Sequence, residues 1–188
     1  MKISILSGTP KEDGLCQSFI EAAKQGAFKG GAEVDEIRLS DYDLVRCQVC
    51  SDGWGTCRSE NYCIFGEDGF DAISSRLQNS DAIIMATPVY WGEISEVMKS
   101  FLDRLRRCEF DQNGVVRDKQ VLIIATPGGS GNGLLSCLEQ MERFCRHTGA
   151  IIFDYIGGNR WNNDYKMIAV KSAAHSIAIG RKNGDTLI

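Results

Sequence analysis

Histidine is scarce in this chain. Only His147 and His175 occur among the 188 residues, and both fall in stretches of helical pattern. Neither has a nucleophile beside it in sequence, and no G-x-S-x-G is present. A hydrolase or another Cys/His catalyst is therefore disfavoured, because that chemistry needs a base within reach of its nucleophile. Basic charge is not in excess either: 21 Lys and Arg face 25 Asp and Glu, a net charge of −4. Nonspecific nucleic-acid binding is driven by neutralising phosphates, so no nucleic-acid partner is expected. No apolar run approaches the roughly 18 residues of a membrane span. The opening Met1-Lys2-Ile3-Ser4-Ile5-Leu6 lacks the length and small-residue cleavage site of a secretory signal. The expectation is a cytoplasmic protein without a membrane partner. Internal repeats and low-complexity linkers are also missing. With 43% hydrophobic and 24% charged residues, the composition excludes a disordered or fibrous chain, and its length predicts one domain over residues 1–188.

Cysteine is plentiful, at eight residues. A reducing compartment argues against a disulfide framework. Cys16, Cys108, Cys137 and Cys145 are scattered, as small buried hydrophobes usually are. The other four are crowded together with the spacing Cys47-x2-Cys50-x6-Cys57-x5-Cys63. Four thiolates on one loop can surround a [4Fe–4S] cluster or a tetrahedral zinc. Soft ligands with no histidine nearby favour those over hard cations; free or oxidised thiols are the remaining alternative. The stretch from about 40 to 70 that carries them has no hydrophobic period and reads as an irregular functional insertion. Its Trp54 and Tyr62 could also shape a pocket of a neighbouring subunit.

Four short apolar runs read as buried parallel strands: Lys2–Ser7, Asp81–Thr87, Gln120–Thr126 and Ala150–Ile156. Unbroken apolarity is what a strand covered on both faces requires. Glu33–Leu39 alternates and suits an edge. Helical stripes lie between them. One covers roughly residues 14–29. A second carries Ile94, Val97, Met98, Phe101, Leu102 and Leu105, and a third Leu134, Leu135, Leu138, Met141, Phe144 and Cys145. The last spans about 162–181. Strands alternating with helices predict a doubly wound α/β sheet with right-handed crossovers. The basic run Arg104, Arg106 and Arg107 is expected to be a solvated helix end.

Ligands of such sheets bind beyond the carboxyl ends of the strands. Three loops there stand out. The first, Ser7 to Cys16, offers the Thr9 hydroxyl, Pro10, the Lys11 charge, and the free amides of the helix that follows Gly14 and Leu15, which suits a phosphate. It is neither a Walker A loop nor a G-x-G-x-x-G turn. The second is Thr87-Pro88-Val89-Tyr90-Trp91-Gly92, whose adjacent aromatics can stack on a flat ring. The third runs from Thr126 through Gly128, Gly129, Ser130 and Gly131 to Gly133. Four glycines within six residues allow close backbone approach to a ligand. One molecule with a single terminal phosphate and a flat aromatic ring accounts for all three loops. That describes FMN better than NAD.

These residues resemble the NADPH-dependent FMN reductase and flavodoxin-like superfamily, and within it the iron–sulfur flavoprotein branch. The resemblance runs from Lys2 to about Tyr155. The family's phosphate loop reads like G-S-P-R-x-x-G-x-T. Here Gly8-Thr9-Pro10-Lys11-Glu12-Asp13-Gly14-Leu15-Cys16 places Thr9 for Ser, Lys11 for Arg, and Cys16 where Ser or Thr is usual. The family's S-P-V-Y-x-G segment matches Thr87 to Gly92. Its K-x-F-x-D-R helix matches Lys99 to Arg104. The branch's compact C-x2-C-x2-C spacing is widened here between Cys50 and Cys57. The resemblance implies a flavodoxin-like sheet of order 2-1-3-4-5, an FMN-dependent oxidoreductase with NAD(P)H as cosubstrate, and a homodimer or homotetramer. The isoalloxazine would carry the chemistry, with no side chain required as general base. The Gly128–Gly131 amides would face its N1 and O2 edge. A non-enzymatic flavodoxin-type electron carrier is the rival reading.

Overall fold

The structure, a computed structural model, describes residues 1–109 and 114–182. Five strands form one parallel sheet: β1 Lys2–Ser7, β2 Glu33–Arg38, β3 Ala82–Val89, β4 Gln120–Pro127 and β5 Ile151–Gly157. Their order is β2-β1-β3-β4-β5, the flavodoxin-like arrangement. Among the described residues, six α-helices accompany them: α1 Leu15–Lys29, the short α2 Thr56–Ser59, α3 Phe70–Gln78, α4 Glu96–Cys108, α5 Leu134–Thr148 and α6 Asn163–Ala178.

The central strands are apolar throughout because both faces are covered. Side chains alternate along β4. Val121, Ile123 and Ala125 enter a core shared with Phe70, Phe101, Leu105, Met141 and Phe144 of α3, α4 and α5. Leu122 and Ile124 enter the opposite core, built with Phe19, Ile20, Val170 and Ile177 of α1 and α6. Burying each such side chain contributes roughly 1.5–3 kcal/mol.

One expectation needs correction. Residues 150–156 are not covered on both faces: β5 is an edge strand, and Ile151 and Tyr155 are 44% and 42% exposed. Within its apolar run Ile152 and Phe153 still pack against the two cores, one on each side of the sheet. The irregular stretch ends at α3, a helix that no sequence pattern marks, which buries Phe70, Ile73 and Leu77. The 3₁₀ turn Gly66–Asp68 leads into it, and Gly69, at φ 105°, makes the joint between them.

The strand ends set the site. β1, β3 and β4 all run the same way, so the loops after Ser7, Val89 and Pro127 emerge at one edge. Pairing of Thr87 with Ala125 and of Pro88 with Thr126 holds the second and third loops side by side. Gly133 caps α5 at φ 78°, and a side-chain carbon there would lie 2.4 Å from Gly92 Cα. Only glycine permits that approach of the second loop to α5.

Candidate functional site

An open cleft of about 320 Å³ runs along this edge. That is within the range of small-molecule sites. The first loop supplies Thr9, Lys11, Gly14, Leu15 and Cys16; the second supplies Pro88, Val89 and Tyr90; the third supplies Thr126, Pro127, Gly128 and Gly129. Three segments far apart in sequence thus meet at one ligand-sized depression. Arg160, from the turn after β5, completes its wall. Sequence reasoning missed Arg160, because no motif marks a residue whose place depends on β5 docking beside β4.

The first loop has the features of an anion site. Gly14 is the N-cap of α1, with no side-chain hydrogen bond to the helix amides and no acidic residue in the first turn. Those amides and the positive end of the helix dipole face the cleft uncompensated. Thr9 is 3% exposed, and its Oγ1 accepts from the Lys11 amide at 3.3 Å. Cys16 lies 4% exposed at the helix start. Burial pushes its thiol up to about 11, against a smaller opposite effect of the Thr126 hydroxyl. It is neutral at physiological pH and adds no negative charge. No acidic side chain lines the cleft, whereas two cations, Lys11 and Arg160, do. In a chain of net charge −4, that local excess favours an anionic ligand.

The third loop leaves room for a ring. A side-chain carbon on Gly128 would meet nothing within 4 Å, and one on Gly129 only Arg160 Nη2 at 3.9 Å. The backbone here is open to a flat partner. A phosphate-tailed aromatic ligand such as FMN fits these residues: a bare helix N-terminus at one end and an open glycine backbone at the other.

Other expected site residues lie elsewhere. Ser7 is fully buried with an unpartnered Oγ and does not reach the cleft wall. Pro10 is exposed beside it. Thr87 Oγ1 accepts from the Ser95 amide at 3.0 Å and donates to the Pro88 carbonyl at 2.9 Å. Its hydroxyl positions the start of α4. Tyr90 and Glu93 pair through a two-residue turn in which Trp91 and Gly92 have φ 53° and 84°. Trp91 therefore stands at a hairpin tip, fully exposed, away from the cleft wall that Tyr90 lines. Ser130 is exposed, and its Oγ accepts from the Asn132 amide at 3.3 Å. Gly131, at φ 76°, packs toward Asn159.

The cysteine segment forms a separate, much tighter pocket of about 30 Å³. Cys47, Cys50, Cys57 and Cys63 all line it, and so does Cys108 of α4. Arg46, Arg104 and Arg107 share its wall. Arg104 contradicts the expectation of a solvated helix end, since its side chain is 2% exposed. It donates to Asp68 Oδ2 at 2.5 Å, to the Phe65 carbonyl at 2.8 Å, to the Val45 carbonyl at 3.1 Å and to Cys63 Sγ at 3.5 Å. A buried guanidinium needs such partners. Arg107 likewise donates to the Gly53 carbonyl and lies over the Trp54 ring at 4.8 Å. Trp54 is thus an anchor of the segment onto α4. The thiols are gathered but not assembled: among the described residues no group of three or more His, Cys, Asp or Glu is arranged to hold a metal ion. As folded, the segment does not fit an iron–sulfur cluster or a zinc ion.

Fold and cleft together define a doubly wound α/β protein with a cleft lined by two cations at its sheet edge. The chain belongs to the NADPH-dependent FMN reductase family, whose model matches residues 1–159. It is 29% identical over 168 residues to an iron-sulfur flavoprotein of Methanosarcina thermophila, covering 86% of this chain and 83% of that one. Two solved structures share the fold. One is an NAD(P)H:quinone oxidoreductase from Methanothermobacter marburgensis, with TM-score 0.73, 16% identity, and 94% and 96% of the two chains covered. The other is a flavodoxin, WrbA-like protein from Agrobacterium tumefaciens, with TM-score 0.62, 16% identity and 94% of each chain covered. Among the described residues no helix is long and apolar enough to cross a membrane.

Proposed function

We propose that this member of an FMN oxidoreductase family binds FMN in the sheet-edge cleft and uses it to pass electrons from NAD(P)H to a small-molecule or protein acceptor. The observation that carries the reading is the cleft itself, where three loops converge with two cations and no carboxylate. Bound FMN supplies hydride acceptance and onward electron transfer. The protein's part is to hold and tune. Gly14, Leu15 and Cys16 present the α1 amides to the phosphate, with Thr9 and Lys11 beside them. Pro88, Val89 and Tyr90 flank the ring. Gly128 and Gly129 admit its edge against the backbone.

The family membership and the NAD(P)H named for the Methanothermobacter protein support the donor. The iron–sulfur relative and the four cysteines around one pocket raise a cluster as a second resident group. The loop as folded assembles no ligand set for it, so the reading stands without it. Trp161, whose indole N–H meets the Gly129 carbonyl, and Tyr165 and Ile168 of α6 are large exposed apolar side chains. Such exposure favours a homodimer or homotetramer.

The test is a steady-state assay of NADPH and NADH oxidation by the FMN-loaded protein with quinone and ferricyanide as acceptors. Turnover is expected with at least one donor. Tight FMN binding with no turnover from either donor would instead make the protein an electron carrier.

A further inference from the structure

Arg160 occupies a place that phosphate binding does not explain. It enters the cleft from the turn after β5, whereas the anion site lies after β1. With order β1-β3-β4-β5, these ends are three strand spacings apart, about 14 Å. Arg160 therefore starts from the side of the cleft opposite the anion site. Arg160 is instead next to the glycine loop, with Nη2 3.9 Å from the carbon a side chain on Gly129 would carry.

Its position is built, not incidental. The guanidinium lies over the Trp161 ring at 4.3 Å. The Trp161 indole N–H in turn donates to the Gly129 carbonyl at 3.1 Å. The turn is closed by Asn159 Oδ1, which accepts from the Trp161 amide at 2.9 Å, and Asn162 Oδ1, which accepts from the Asn159 amide at 2.8 Å. Arg160 and the glycine loop are therefore held as one unit. No carboxylate lines the cleft to neutralise this cation.

We propose that Arg160 is a charge-balancing residue for the flavin ring. A hydride from a nicotinamide donor delivers two electrons and one proton, so the ring gains one net negative charge, on its pyrimidine edge. A fixed cation beside the glycine loop stabilises that charge more than the neutral oxidised ring. The inference rests on the FMN reading above. It goes beyond it in assigning a residue that binds the reduced cofactor selectively.

The test compares the full-length protein with Arg160→Gln and Arg160→Lys. Affinities for oxidised FMN and for chemically reduced FMN are measured separately, the latter without oxygen. Because Arg160 is exposed and its field is partly screened, Arg160→Gln is expected to lose on the order of tenfold in affinity for reduced FMN, with oxidised FMN changed by no more than about twofold. A tenfold differential loss equals a fall of about 30 mV in the two-electron potential. Arg160→Lys keeps the charge and should retain most of the preference for the reduced form. Equal loss for both redox states, or no loss for either, overturns the proposal. A loss seen with FMN but not with riboflavin also overturns it, by placing Arg160 on the phosphate. If the unsubstituted chain binds FMN in neither state, the FMN reading itself fails.

Discussion

Arg104 and Asp68 form a buried ion pair, Nη1 to Oδ2 at 2.5 Å, with 2% and 13% of their side chains exposed. The pair fastens the cysteine-bearing segment to α4 just before α3 begins. Arg104→Leu should therefore destabilise the protein by about 3–5 kcal/mol, since it leaves the Asp68 charge without its partner. Urea unfolding measures this. Adding Asp68→Asn should recover part of the loss, and a loss below about 1 kcal/mol for the single variant would show the pair to be unimportant.

The same carboxylate gives a pH signature. Burial alone would raise Asp68, but the Arg104 hydrogen bond and the amides of Val45 and Phe70 bring it below the usual range. Arg76 does the same for Asp35. A folded-state value below the unfolded one means stability that is present above about pH 3.9 and is lost as pH falls through the folded value. Glu109 has the opposite sign: burial raises it, so its contribution is complete below its unfolded value and is lost as pH rises through its folded one. Asp68→Asn should flatten the acid limb of the stability profile, whereas Glu109→Gln should flatten the limb above it. An acid limb unchanged in Asp68→Asn would contradict the assignment.

Thiol reactivity should divide the eight cysteines evenly. Burial pushes Cys108, Cys137 and Cys145 up to about 12 and Cys16 to about 11. Cys47, Cys50, Cys57 and Cys63 are free and only partly buried. Since thiolate and access govern reaction, native alkylation of reduced, metal-free protein followed by peptide mass spectrometry should label those four first. Early labelling of Cys137 or Cys145 would contradict the packing.

Gly14 separates helix stability from ligand binding. Its φ of −86° suits any residue, and a side-chain carbon would meet Lys11 Cβ at 3.4 Å. Gly14→Asp should stabilise α1 by a few tenths of a kcal/mol as a better N-cap. The same carboxylate should weaken FMN by about 1–3 kcal/mol while leaving riboflavin unchanged, because only FMN brings a phosphate to the helix dipole. Equal effects on both ligands would remove the phosphate from this loop.

Most of the sheet was legible because burial on two faces demands unbroken apolar runs. β1 ends where its Ile3, Ile5 and Leu6 run meets Ser7 and Gly8, and the three cleft loops follow from strand ends. β5 misled for a physical reason: Ile151 and Tyr155 are apolar yet lie on an uncovered edge. α3 was hidden because its nine residues bury only Phe70, Ile73 and Leu77, too few to stand out beside a cysteine-rich stretch. Arg104 reads as a surface charge until Asp68 and three carbonyl or thiol acceptors are folded around it. Arg160 depends on a turn closed by two asparagines and a tryptophan, a tertiary fact with no local period. Trp91 could be seen as an aromatic at a strand end, but its turn at φ 53° aims it outward.

The most direct measurement is a fluorescence titration of flavin-free protein with FMN, repeated with Thr9→Ala. The account predicts saturable binding of FMN at one molecule per chain, weakened by about 1–3 kcal/mol when the Thr9 hydroxyl is removed. No saturable binding, or binding indifferent to both Thr9→Ala and Gly14→Asp, would contradict it.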